Sequence, residues 1–112
     1  MSQITTHVLD ISVGRPASDM VVTLEMQSGD SWQELAKGHT DSDGRLKGLP
    51  GPLVLEPGTF RLTFETGEYF ALHKTETLYP RVSIVFEVRD EQRHYHIPLL
   101  LSPFGYSTYR GS

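Results

Sequence analysis

The sequence predicts an all-β fold, an antiparallel β-sandwich of seven or eight short strands with one short helix. Three observations predict it. Gly and Pro recur at near-regular intervals along the 112 residues, leaving room mainly for short strands. Between these marks apolar and polar residues alternate, the period of a half-buried strand. The crossover helices of about 10–15 residues that parallel βαβ units require are missing.

Composition bounds the function. With 38% apolar and 21% charged residues, the chain reads as one globular domain over residues 1–112. A net charge of -4 and no Lys/Arg run give no electrostatic footprint for nucleic acid or an anionic membrane. The absence of cysteine removes disulfides, Cys-ligated zinc and a thiol nucleophile. Met1 to Thr6 lacks the basic-then-apolar order of a signal peptide, and no stretch approaches the ~20 apolar residues of a membrane span. The expectation is a soluble, cytoplasmic protein.

The first strand, through Thr6 to Ile11, sets His7, Leu9 and Ile11 on one face and Val8 on the other. A turn at Gly14-Arg15-Pro16 leads to the alternation Val22, Leu24, Met26, which Ser28-Gly29-Asp30 closes. Asp41-Ser42-Asp43-Gly44 has the wrong spacing for a calcium loop and reads as a β-turn, placing Arg45 just beyond it. Leu49-Pro50-Gly51-Pro52 and Pro57-Gly58 mark further turns before the set Phe60, Leu62, Phe64. Gly67 to Lys74 suits a short helix packed on the sheet through Tyr69, Phe70, Leu72 and His73, with Thr66 as N-cap. Beyond Tyr79-Pro80, Val82, Ile84, Phe86 and Val88 alternate again.

The run His94 to Leu101 is apolar on both faces at its C-terminal end, as expected of a strand covered on each side. Tyr95, Ile97, Leu99 and Leu101 form one face; His94 and His96 begin the other, which continues through Pro98 and Leu100. A chain this small has no second layer of helices, so the cover for that face is expected to be another subunit. A lone histidine near a strand end is ordinarily a satisfied structural group. Here two strands, at His7 and at His96, each place one among apolar neighbours. Past Ser102-Pro103-Phe104-Gly105 the tail Tyr106 to Ser112 keeps β character where most tails fray. The Ser112 α-carboxylate, with a reference pKa of about 3.5, is a fixed negative charge able to hold a histidine in one tautomer. His7, His94 and His96 have the ligand type for zinc, yet no HExxH or paired carboxylate accompanies them, and no metal is expected. No G-x-S-x-G elbow and no phosphate-cradling Gly-rich loop occur.

These residues carry a family resemblance. Thr6-His7-Val8-Leu9-Asp10, Gly14-Arg15-Pro16-Ala17, Asp43-Gly44-Arg45, His94 through Pro103, and the closing Tyr109-Arg110-Gly111-Ser112 closely resemble the 5-hydroxyisourate hydrolases, transthyretin-like enzymes of urate catabolism. The likeness covers the whole chain, and its most specific element is the terminal Tyr-Arg-Gly-Ser, which separates these hydrolases from the transthyretin hormone carriers. One departure is Tyr79-Pro80-Arg81-Val82, where the family more often has Phe-Pro-Glu-Val; it bears on local packing or partner contacts. The resemblance implies a transthyretin-like sandwich of two four-stranded sheets with one short helix. It also implies a homotetramer, a dimer of dimers with active sites at the dimer-dimer interface.

The implied reaction opens the cyclic amide of 5-hydroxyisourate to 2-oxo-4-hydroxy-4-carboxy-5-ureidoimidazoline without a metal or organic cofactor. His7, Arg45, His96 and Ser112 map onto the catalytic positions, with Tyr109, Arg110 and Gly111, beside His7 and Arg45, contacting substrate. A histidine with a pKa near 6.5 suits water activation, and Arg45 suits charge on substrate oxygens. His7 and His96 are expected to act together, with Ser112 orienting one imidazole, and which ring takes the proton stays open. Two rivals stand beside it: a non-catalytic carrier of an aromatic ligand, for which two histidines and an arginine are a costly lining, and a surface adhesion module, which needs no ionisable residues on a covered face.

Overall fold

A computed structural model describes residues 4–49, 55–89 and 94–111. The strands follow the sequence alternation. They are β1 (Ile4–Asp10), β2 (Arg15–Pro16), β3 (Val21–Ser28), β4 (Ser31–His39), β5 (Arg45–Leu49) and β6 (Gly58–Phe64); after helix α1 (Thr66–Leu72) come β7 (Val82–Val88), β8 (Tyr95–Ser102) and β9 (Gly105–Thr108). One sheet runs β4-β3-β6-β7, antiparallel throughout. Its register sets Leu24 opposite Leu62 and Leu62 opposite Ile84, so the three alternating apolar sets fall on one face. Val22, Leu24, Phe60, Leu62, Phe64, Val82 and Val88 are fully buried there, and Met26, Ile84 and Phe86 pack against them. β4 is mostly exposed and therefore carries little apolar alternation.

The second sheet runs β2-β1-β8-β9, with β5 also paired to β1. Because β8 occupies one side of β1, β2 and β5 share the other: β2 meets Leu9 and Asp10, while β5 meets Ile4 to His7. The sheet is thus four strands wide. Ile4, Val8, Tyr95, Ile97, Leu99 and Leu101 turn inward and close a common core with the first sheet. Burial of this cluster supplies the main driving force for the fold.

The sandwich is as expected, with one difference in strand direction. β1 and β8 are parallel over seven residue pairs, from Ile4↔Tyr95 to Asp10↔Leu101. A parallel pair needs a long connection, not necessarily a helical one; here the whole opposite sheet lies between the two strands in the chain. The helix also differs by a residue at its start. Glu65 occupies the N-cap position without a side-chain cap, and the Thr66 hydroxyl instead donates to the Tyr79 carbonyl at 3.1 Å. The Gly67 N–H donates to the Pro80 carbonyl, and a Cβ on Gly67 would stand 2.6 Å from that oxygen, so the helix starts where it docks on the Tyr79-Pro80 segment. Arg81, within the departing tetrapeptide, reaches Glu65 at 3.4 Å on the surface. The expected turn at Leu49-Pro50-Gly51-Pro52 falls largely outside the described residues, and so does Ser112.

Candidate active site

Three strands assemble one outward face. The parallel β1/β8 register puts Thr5 beside His96, His7 beside Pro98 and Leu9 beside Leu100. Antiparallel β5 sets Arg45 against His7 from the other side. Side chains alternate along each strand, so Thr5, His7 and Leu9 share the outer face with His96, Pro98 and Leu100 while Val8, Ile97 and Leu99 go to the core. His7, Arg45 and His96, far apart in the chain, are neighbours by register.

The turn before β5 delivers Arg45. Asp41 Oδ1 accepts the backbone N–H groups of Asp43 at 2.9 Å and Arg45 at 3.0 Å. The Arg45 bond is the chief reason the Asp41 carboxyl sits below its usual range. Gly44 has φ +75°, donates to the Asp41 carbonyl and accepts the Val8 N–H, both through its backbone. A Cβ there would lie 2.4 Å from the Val8 oxygen, so only glycine fits this crossing.

The tail is ordered onto the same face. β9 pairs with β8 through Leu99↔Thr108, and beyond it the chain remains in contact: His96 bridges to Gly111, whose N–H donates to the His96 carbonyl at 2.8 Å. The Thr108 hydroxyl donates to the Pro98 carbonyl at 2.7 Å. Gly111 is the point of closest approach, since a Cβ there would be 2.4 Å from His96 Cδ2 and 3.1 Å from Pro98 Cγ. The exposed Tyr109 shares the Gly111 side by alternation.

Arg110 goes elsewhere. Alternation sends it away from Gly111, and its guanidinium lies over the Tyr95 ring at 4.9 Å while its Nη2 reaches the His94 carbonyl at 3.5 Å. Through these two contacts the side chain clamps the tail to the start of β8.

His96 is half-buried, and its Nδ1 lies 2.8 Å from Thr5 Oγ1; the same oxygen lies 3.0 Å from His94 Nε2. The two imidazoles are nearly coplanar in orientation, 12° apart with centroids at 6.3 Å. Burial pushes the His96 pKa below its ordinary 6.5, and the charges of Arg45, His94 and His7 act the same way, against a hydrogen bond to the Thr5 backbone. Sequence reasoning set His94 and His96 on one face but missed Thr5, whose hydroxyl joins them. A threonine two residues before a strand histidine is no signal by itself; pairing across 91 positions made it one. Among the described residues no group of three or more His, Cys, Asp or Glu is placed to hold a metal ion. Nor is any helix there long and apolar enough to cross a membrane.

The model of the HIUase/transthyretin family matches residues 4–111. The chain belongs to that family. It is 44% identical over 109 residues to the 5-hydroxyisourate hydrolase of Salmonella dublin, covering 97% of this chain and 80% of the relative. The solved 5-hydroxyisourate hydrolase of Klebsiella pneumoniae is 39% identical, with a TM-score of 0.85 over 98% of this chain and 99% of that one. Sea bream transthyretin, solved with thyroxine, is only 28% identical yet superposes with a TM-score of 0.90 over 96% of this chain and 93% of its own. The HIUase/transthyretin backbone alone does not separate enzyme from carrier, so the outer-face side chains must.

Proposed function

We propose that this chain hydrolyses 5-hydroxyisourate in urate degradation. The observation that carries the reading is the convergence of His7, Arg45 and His96 on one outer face, with the tail laid against His96 through Gly111. Greater identity to the hydrolase than to the hormone carrier supports it.

In this reading a neutral imidazole takes a proton from water as its oxygen attacks the ring amide carbon. The C–N bond then breaks, and the imidazolium returns its proton to the departing nitrogen. His96 suits the base because its lowered pKa keeps it unprotonated near neutrality. Arg45 supplies a permanent positive charge and a fork of donors to the oxygen that turns anionic during attack. His7, between Arg45 and Pro98 in register, lies where substrate oxygens meet that charge. Tyr109 borders the substrate ring, and the role of Ser112 rests on the family resemblance alone. No metal or organic cofactor enters the scheme. The working unit is a dimer of dimers, in which a neighbouring copy covers the half-buried outer face and turns it into a pocket.

The test is the ultraviolet decay of freshly generated 5-hydroxyisourate. Wild-type protein should accelerate it, and His96→Ala should lose on the order of 10²–10⁴ of that acceleration, the usual worth of general-base help. Arg45→Lys should also be impaired, because an ammonium cannot reproduce the guanidinium fork. A carrier would leave the spontaneous rate unchanged with all three proteins, and the hydrolase reading would fail.

A further inference from the structure

One hydroxyl stands between two imidazoles. Thr5 Oγ1 is within hydrogen-bond distance of both His96 Nδ1, at 2.8 Å, and His94 Nε2, at 3.0 Å. A hydroxyl has one hydrogen and two acceptor lone pairs, so it donates to at most one ring. If both rings donate to it, His96 carries its proton on Nδ1; otherwise two arrangements use the Thr5 hydrogen between the rings. In one, His94 donates to Thr5 and Thr5 donates to His96 Nδ1, leaving the neutral His96 with its proton on Nε2. In the other, His96 Nδ1–H donates to Thr5 and Thr5 donates to His94 Nε2, leaving His96 Nε2 with a lone pair.

We propose that Thr5 and His94 are positioning residues that hold His96 in the Nδ1–H form, so that Nε2 is the nitrogen that takes the proton from water. The inference rests on the reading of His96 as the base. Geometry limits the choice of nitrogen: Nδ1 is committed to Thr5, while Cδ2, bonded to Nε2, is the ring atom that runs closest to Gly111 and the tail. Arg45 on β5, a donor only, has no acceptor to offer a ring N–H, whereas Thr5 Oγ1 stands 2.8 Å from Nδ1. Nearly all of Thr5 is buried, at 9% exposure, which keeps water from substituting for it. His94 is exposed, so its own Nδ1–H is met by solvent when its Nε2 accepts from Thr5. The arrangement follows the general logic by which a second group fixes the tautomer of a catalytic histidine, with a neutral hydroxyl and a second imidazole in the place of a carboxylate.

The experiment combines histidine-selective ¹⁵N labelling with turnover. Long-range ¹H–¹⁵N correlation spectra distinguish a protonated ring nitrogen from a bare one. Wild-type His96 should show a protonated Nδ1 and a bare Nε2. Thr5→Val, which keeps shape and removes the hydroxyl, should convert His96 to a mixture of tautomers and lower kcat by roughly 10- to 100-fold with KM nearly unchanged, a share of general-base catalysis. Thr5→Ser should restore both the spectrum and kcat. His94→Ala, at an exposed site, should free the Thr5 hydrogen to turn toward His96 and raise the Nε2–H population. A wild-type spectrum with Nε2 protonated, or a Thr5→Val protein with unchanged tautomer and kcat, overturns the proposal. If wild-type protein fails to accelerate decay of 5-hydroxyisourate, the functional reading fails instead, and the spectra still decide the tautomer.

Discussion

At the scale of single residues, the chemistry of this face depends on where His96 stands between burial and charge. A histidine in water titrates near 6.5, where half of it is useless as a base at that pH. Partial burial and the nearby Arg45 both disfavour its imidazolium, so the His96 pKa lies below 6.5. The sign for catalysis follows directly: a base with a depressed pKa stays unprotonated as the pH falls through the ordinary histidine range. The acid limb of kcat/KM should therefore fall below pH 6.5. Removing the charge with Arg45→Met should lower the rate and move the limb of the residual activity upward, toward the unperturbed value. Measured kcat/KM from about pH 5 to 8 checks both parts; a limb above the normal histidine value would exclude His96 as the group responsible.

At the scale of elements, the strands that face the core were readable because alternation is local. Phe60, Leu62 and Phe64 announce a buried face from five consecutive residues, and the register of their neighbours then completes it. Both faces of β8 were legible for the same reason, down to the split between Tyr95, Ile97, Leu99 and the His96, Pro98, Leu100 stripe. Strand partnership was not legible. Nothing within Ile4–Asp10 says that it lies parallel to Tyr95–Ser102, and the Thr5 contacts depend on that pairing alone. The Arg110 contact with the Tyr95 ring was not legible for a related reason: strand alternation sends it to the opposite side from its motif neighbours Tyr109 and Gly111. The turn into β5 shows how much one position carries. Gly44→Ala forces a side chain into a left-handed backbone and against the Val8 carbonyl. It should cost about 2–4 kcal/mol, strain and overpacking together, and shift Arg45 off the face. Denaturant unfolding should report the loss, and turnover of the protein that remains folded should fall as well. A variant as stable and as active as wild type would show that the turn tolerates a Cβ.

At the scale of the molecule, the proposed dimer of dimers rests on what the outer face leaves uncovered. Arg45, His94 and Tyr109 are exposed, and Leu9 and Leu100 on the same face are only partly covered. Among the described residues the two sheets end at β4 and β7 and at β2, with β5, and β9, and backbone groups along such edges invite a second copy. Pairing at edges and packing through the outer face are two separate contacts, the requirement for a dimer of dimers. They can be separated experimentally at Leu100, which lies between Leu9 and Ser107 in register, on the face and away from both edges. Leu100→Arg leaves the core-facing residues of β8 intact, so the protomer should fold. A guanidinium trapped between apolar faces without a partner costs several kcal/mol, and each 1.4 kcal/mol is about tenfold in association. Sedimentation velocity should then show a fall from four copies of the 12.6 kDa chain to two. Turnover should fall in step by tenfold or more, although His7, Arg45 and His96 are untouched. Full activity in the dissociated form would mean that one face is a complete site, and would remove the need for a neighbouring subunit.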